Sequence, residues 1–235
     1  MSESRSLLQK AGLTIRSDEQ IVRTAIGHFI CTKGGFTPCP WSEDVARFCP
    51  VRPGDRVLDL GCGVGPLMLA LEAREPDVKL VLGLELDRRR VEQAARNIIL
   101  NGSRASRVIR ADIRSLPIPN AFDLVISNPP FYPHGWGRQS DKRALATATH
   151  QLNGDIVDFL MATKKALNPK GQAVFIYDAQ HLNALLLASA RVGLIVVGLR
   201  YLMDDRDKAS RVMLLLSKRG TGLAVETQVA SNVVA

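Results

Sequence analysis

From Arg56 onward the chain alternates short runs of Val, Ile and Leu with helix-length segments whose apolar residues recur every three or four positions. Apolar runs bounded by turn residues read as buried strands, and the amphipathic stretches between them as crossover helices. The pattern therefore predicts repeated β-α units and a parallel sheet. Strands are expected at Arg56–Gly61, Lys79–Leu86, Arg107–Ala111, Phe122–Ser127, Gly171–Tyr177, Leu194–Tyr201 and Arg211–Lys218. Helices are expected at about Gly65–Ala73, Arg88–Asn101, Asp155–Leu167 and Ala179–Val192, the last three ended by Asn101-Gly102, Pro169 and Gly193.

Between the last two strands, Met203-Asp-Asp-Arg-Asp-Lys-Ala-Ser210 is too short and polar for a crossover helix, so these strands should form an antiparallel hairpin after five parallel strands. The expected fold class is α/β: a seven-stranded sheet with helices on both faces and an antiparallel last strand. Residues 1–50 read as a helical and turn-rich cap that recognises substrate or covers the sheet. It has an amphipathic helix at about Asp18–Phe29 and a turn-rich stretch from Lys33 to Trp41. Residues 51–220 form the main domain. The tail 221–235 is small and weakly patterned and is expected to be mobile.

Composition narrows the class. At 235 residues, 46% hydrophobic and 23% charged, the chain is an ordinary globular protein and not a disordered or fibrous one. Its 31 Lys and Arg against 23 Asp and Glu give a net charge of +8, which favours a polyanionic partner. Cys31, Cys39, Cys49 and Cys62 contain no Cys-x-x-Cys pair and have no His placed to complete a zinc site, so no metal is expected and the thiols read as reduced. The N-terminus lacks the apolar stretch of a secretory signal, and the apolar region Leu182–Leu199 is interrupted by Asn183, Ser189, Arg191 and Gly193. A cytoplasmic protein with no membrane span is expected.

Two segments carry chemistry. In Val57-Leu-Asp-Leu-Gly-Cys-Gly-Val-Gly65 a buried strand runs into a glycine turn that opens a helix, so backbone can approach a ligand closely and the helix N-terminus offers free N–H groups. Pro66 stands where the dinucleotide fingerprint needs its third glycine, which disfavours a nicotinamide cofactor. Asp59 lies beside the loop, a place suited to a cationic amine. Glu85 ends the second strand 24 positions after Gly61, where a carboxylate can take both hydroxyls of a ribose. Asp87 reads as a helix N-cap. The second segment, Phe122-Asp-Leu-Val-Ile-Ser-Asn-Pro-Pro-Phe131, delivers Asn128 to the carboxyl edge of the sheet, with Pro129 and Pro130 stiffening the loop and freeing its carbonyls to accept. Phe131, supplemented by Tyr132, offers an aromatic face for an unstacked base. His134 and His150 read as surface or loop histidines.

Asp59-Leu-Gly-Cys-Gly-Val-Gly65 resembles motif I of the class I S-adenosylmethionine-dependent methyltransferases, and the resemblance extends from about Gly54 to Lys218, including the reversed final hairpin. It implies a Rossmann-like methyltransferase sheet with S-adenosylmethionine as cofactor. In that scheme Asp59 and the loop of Gly61, Cys62, Gly63 and Gly65 hold the methionine part, Glu85 holds the ribose, Asp112 contacts the adenine, and Asn128 borders the cofactor. Asn128-Pro-Pro-Phe131 looks like motif IV of the enzymes that methylate a planar NH₂ group, with Asn128, Pro129 and Phe131 as the catalytic set.

The sequence beyond Phe131, with Lys142 and Arg143 placed to meet phosphates, is similar to the bacterial tRNA adenine-N6 methyltransferases that act beside the anticodon. A nucleic-acid acceptor, tRNA or rRNA, is therefore expected. Eight arginines between Leu86 and Arg114, against Asp87, Glu92 and Asp112, make a local charge of +5 that reads either as an RNA track or as a solvated face. Lys33-Gly-Gly-Phe-Thr-Pro-Cys-Pro-Trp41 only loosely echoes the Gly-rich segment with an acidic residue that precedes motif I in that branch. Alternative acceptors are a protein glutamine amide, as in a release factor, or guanine N2 in rRNA. A reading from another class is a non-catalytic cofactor- and RNA-binding subunit.

Overall fold

Val57, Leu58 and Leu60 are fully buried in β3 (Arg56–Leu60), as are Val81 and Leu84 in β4 (Leu80–Glu85), which is why apolar residues dominate these runs instead of alternating with polar ones. The computed structural model describes residues 2–35, 37–116, 118–129, 155–203, 209–220 and 224–226. The chain divides into two units, Met1–Arg110 and Ala111–Ala235.

The first unit holds α1 (Ser2–Lys10), a two-stranded hairpin of β1 (Glu19–Thr24) and β2 (Gly27–Thr32), and α2 (Ser42–Phe48). After β3 come α3 (Pro66–Arg74), β4, α4 (Arg88–Leu100) and β5 (Ser106–Arg110), with β3, β4 and β5 pairing in parallel. The second unit holds β6 (Phe122–Ser127), α5 (Ile156–Ala166), β7 (Leu167–Asp178), α6 (Leu182–Val192), β8 (Ile195–Met203) and β9 (Ala209–Ser217). The strands run in the order β5-β4-β3 in the first unit and β6-β7-β9-β8 in the second, the seven expected strands of a mixed α/β fold. The last strand, β9, runs antiparallel to both β7 and β8 and sits between them, so β8 is not reversed and β9 alone carries the reversal.

Three expectations need correction. The helix expected at Asp18–Phe29 is the β1–β2 hairpin, turning at Ala25-Ile26 into Gly27, whose φ of 143° suits glycine. Its β-branched content (Ile21, Val22, Thr24, Ile26, Ile30, Thr32) favours extended backbone, and tertiary partners on α4 described below decide the outcome. In the tail, Ala224–Glu226 forms β10, which pairs in parallel with β8, so this part of 221–235 is held. Finally, β7 begins at Leu167, directly after α5, and not at Gly171. A register shift between Phe122 and Leu124 of β6 admits the extra residues.

No disulfide joins the four cysteines. Among the described residues no helix is long and apolar enough to cross a membrane.

Candidate active site

The loop after β3 is built on backbone that only glycine adopts readily. Gly61, Gly63 and Gly65 have φ of 71°, 57° and 91°. Gly61 and Cys62 both donate N–H bonds to the Leu84 carbonyl, at 2.8 and 2.9 Å, which fastens the loop to the end of β4. Pro66 then occupies the first turn of α3, where its missing N–H costs nothing. Close packing below the loop depends on Gly83: a Cβ there would lie 2.4 Å from Met68 Sδ and 2.7 Å from Cys62 Sγ.

Two carboxylates flank this loop in different states. Glu85 is buried, and each of its oxygens accepts a backbone N–H: Oε2 from Gly63 at 3.0 Å and Oε1 from Asp87 at 2.9 Å. Asp59 is 1% exposed, and neither of its oxygens has a hydrogen-bond partner among the described residues. Burial, with the Glu85 charge adding to it, pushes the Asp59 carboxyl up to about 8. Asp59 is in register with Gly83, two residues before Glu85, so both carboxylates belong to one face of the sheet.

A buried carboxylate without donors calls for a cation. The sulfonium cofactor implied by the resemblance carries an ammonium group for Asp59 and a ribose diol for the remaining lone pairs of Glu85, so these residues fit it. Cys62, also buried, packs beneath the loop. Asp87 is the N-cap of α4, accepting from Arg90 N at 2.9 Å, as expected. Asp112, expected beside the adenine, caps the 3-10 turn Ile113–Ser115 and pairs with Arg114 at 2.5 Å, so an adenine amine would compete with Arg114 for it.

In the second unit, β6 carries Asn128 to its carboxyl end. Asn128 Oδ1 is buried with no hydrogen-bond partner among the described residues, and Pro129 follows it, buried. Phe131, Tyr132, Lys142 and Arg143, with Pro130, His134 and His150, lie outside the described residues.

Several contributors escape sequence reading. Gly83 leaves one trace, a glycine inside an apolar strand. Gln93, Asn97 and Asn101 tie α4 to the hairpin; their signal is three amides at intervals of four on a helix. The arginine-rich region separates into two groups. Arg96 pairs with buried Glu19 at 2.6 Å, holding the Glu19 carboxyl down at about 2, while Arg89 pairs with Asp18 at 2.5 Å and Arg88 with Glu92 at 3.1 Å. Arg104, two residues before β5, and Arg107 and Arg110 within it are exposed and have no carboxylate partner among the described residues. Arg107 and Arg110 donate only to backbone carbonyls.

The family described as "Methyltransferase small domain" matches residues 45–184. A tRNA1(Val) (adenine(37)-N6)-methyltransferase of Tolumonas auensis is 33% identical over 185 residues, 78% of this chain and 77% of the relative. One of the same name from Aeromonas salmonicida is 31% identical over 179 residues, 74% of this chain and 73% of the relative. Among solved structures, a predicted O-methyltransferase from Agrobacterium tumefaciens superposes with a TM-score of 0.63 at 17% identity, covering 80% of this chain and 86% of that one. M. jannaschii TYW2 in complex with AdoMet superposes at 0.57 and 16% identity, covering 87% and 89%. At such identities the structural likeness concerns the fold.

Proposed function

The chain belongs to the methyltransferase small-domain family, and from that premise we propose that this S-adenosylmethionine-dependent methyltransferase modifies adenine N6 in a tRNA. The cofactor supplies an electrophilic methyl group on a sulfonium. Asp59 neutralises the ammonium group of the methionine part, the Gly61–Gly65 loop lies along that part, and Glu85 takes the ribose hydroxyls. Asp112 serves the adenine in exchange with Arg114.

An exocyclic amine conjugated to a ring is a poor nucleophile because its lone pair is delocalised. Asn128 Oδ1 and the Pro129 carbonyl accept its two N–H bonds and draw the lone pair out of the ring plane toward the methyl, so positioning is the main catalytic device. The observation that carries this reading is the buried Oδ1 of Asn128 at the end of β6, without a hydrogen-bond partner among the described residues. Phe131 and Tyr132 stack the base, and Lys142 and Arg143 meet its phosphates. A tRNA acceptor is supported by the names of the Tolumonas and Aeromonas relatives, by the net charge of +8 and by the unneutralised arginines of β5. Such an enzyme works in the cytoplasm.

The test is incubation with labelled S-adenosylmethionine and unmodified total tRNA, followed by digestion to nucleosides and mass spectrometry. Label in N6-methyladenosine is the expected result. Label in N2-methylguanosine or in a lysate protein's glutamine would transfer the reading to those acceptors, and bound cofactor with nothing labelled would favour a binding role.

A further inference from the structure

We propose that Asn97 is a positioning residue that ties the glycine loop to the N-terminal hairpin, so that hairpin docking and S-adenosylmethionine binding reinforce each other. Asn97 is fully buried in α4, and both sides of its amide are engaged across two other segments. Its Oδ1 accepts from Ile30 N at 2.7 Å, and its Nδ2 donates to Ile30 O at 3.3 Å and to Val64 O at 3.0 Å.

The neighbours of Asn97 on α4 make a graded comparison. Asn101 Oδ1 accepts from His28 N at 3.0 Å and its Nδ2 donates to His28 O at 2.8 Å, while Gln93 Nε2 donates to Thr32 Oγ1 at 3.1 Å. Four residues of helix rise about 6 Å and two residues of strand about 6.6 Å, so amides at 93, 97 and 101 meet residues 32, 30 and 28 of β2 in step. The helix thereby presents side-chain amides in place of a neighbouring strand along the outer edge of β2. Of these three amides, Asn97 alone also bonds to the glycine loop.

Val64 is held from the hairpin side in a second way. Its side chain packs on the buried cluster of Phe29, Cys31 and Leu69, two of which belong to β2. Gly63, directly before it, donates its N–H to Glu85. A continuous set of contacts thus runs from β2 through Asn97 and Val64 to Gly63 and the carboxylate that serves the ribose. Gly61 and Cys62 fasten the loop to β4, and because Gly63 and Gly65 have no side chains, Val64 is its anchor on the hairpin side. Linkage requires reciprocity: if a docked hairpin favours the cofactor-competent loop, bound cofactor favours the docked hairpin by the same factor.

Hydrogen exchange of the full-length protein tests this, with calorimetry of S-adenosylmethionine binding alongside. In the wild type, saturating cofactor should slow exchange of the His28 and Ile30 amides by about fivefold or more. Asn101→Ala should speed exchange at His28 and leave cofactor affinity within about twofold, because its contacts, to His28 and to the Asn97 carbonyl one turn back on its own helix, do not reach the glycine loop. Asn97→Ala should weaken cofactor binding by about tenfold and abolish the cofactor-dependent protection of the hairpin. Wild-type hairpin amides indifferent to cofactor would overturn the proposal without recourse to any variant. So would a folded Asn97→Ala protein with wild-type affinity, or an Asn101→Ala protein weakened as much as Asn97→Ala.

Discussion

Asp59 and Glu85 lie on one face of neighbouring strands, and among the described residues only Glu85 receives hydrogen bonds: two backbone N–H groups against none for Asp59. The pair therefore divides into one carboxylate stabilised by the protein and another that awaits a cation. This asymmetry gives the site its pH behaviour.

Below about pH 8 the Asp59 carboxyl is protonated in the ligand-free protein, and binding an ammonium group ionises it. A proton is released, so affinity for S-adenosylmethionine should rise with pH by up to tenfold per unit between about pH 6 and 8. Above that the α-amino group, with an ordinary value of about 7.7–8.0, loses its own proton and affinity should fall again. Calorimetry at pH 7 in buffers of different ionisation enthalpy should register the released proton. A flat pH profile without proton release would place the amine away from Asp59.

In the ligand-free protein the same group works against stability as the medium becomes alkaline. Its folded value of about 8 lies above the ordinary 3.8, so its contribution is full below about pH 4 and is lost as pH rises through 8. Asp59→Asn removes the buried acid and should flatten this decline, giving a Tm at pH 8 equal to or above that of the wild type. The same variant should bind cofactor at least about tenfold more weakly, because the ammonium group loses its counter-charge. A variant that is both less stable at pH 8 and unchanged in affinity would contradict the assignment.

Glu85→Ala should weaken cofactor binding by more than about tenfold, since the Gly63 and Asp87 N–H groups lose a charged acceptor together with the ribose ligand. Glu85→Gln is not a mild substitute here: an amide offers one acceptor where two backbone donors converge. Exchange rates of the Gly63 and Asp87 amides should rise in both variants. Unchanged affinity by calorimetry would remove Glu85 from the site.

Much of this site is legible in the sequence because local rules and chemistry coincide there. Gly61, Gly63 and Gly65 announce left-handed backbone, Asp87 announces an N-cap, and both are found. The hairpin was not legible, because its outer edge is satisfied by Asn97 and Asn101, nearly 70 residues away in sequence. Within residues 18–29 the apolar spacing fits a helix as well as a strand, and only those partners decide between them. The orphaned state of Asp59 was equally hidden. It depends on which donors reach a buried carboxylate, which spacing alone does not encode.

Asn128→Ala should abolish turnover while leaving S-adenosylmethionine affinity within about twofold, because its buried Oδ1 is assigned to the acceptor amine and not to the cofactor. Single-turnover transfer at saturating cofactor measures the first, calorimetry the second. A large loss of cofactor binding would mean that the division of roles is wrong.

The arginines of β5 give the proposed RNA contact its most direct test. On α4, Arg88, Arg89 and Arg96 are engaged by Glu92, Asp18 and Glu19, so replacing them would disturb the hairpin and confuse folding with binding. Arg104, Arg107 and Arg110 are exposed and without carboxylate partners among the described residues, and Glu72 independently fixes the start of their strand by accepting from Arg104 N at 2.6 Å and Ala105 N at 3.0 Å. Replacing all three by alanine should therefore keep Tm within a few degrees and cofactor affinity unchanged. If the three guanidinium groups meet phosphates, KM for tRNA should rise, and the slope of log affinity against log salt should shrink by up to about three. An unchanged KM and salt slope would assign these arginines to solubility and to protection of an exposed sheet edge from pairing with another chain, the other purpose that charged residues on an edge strand serve.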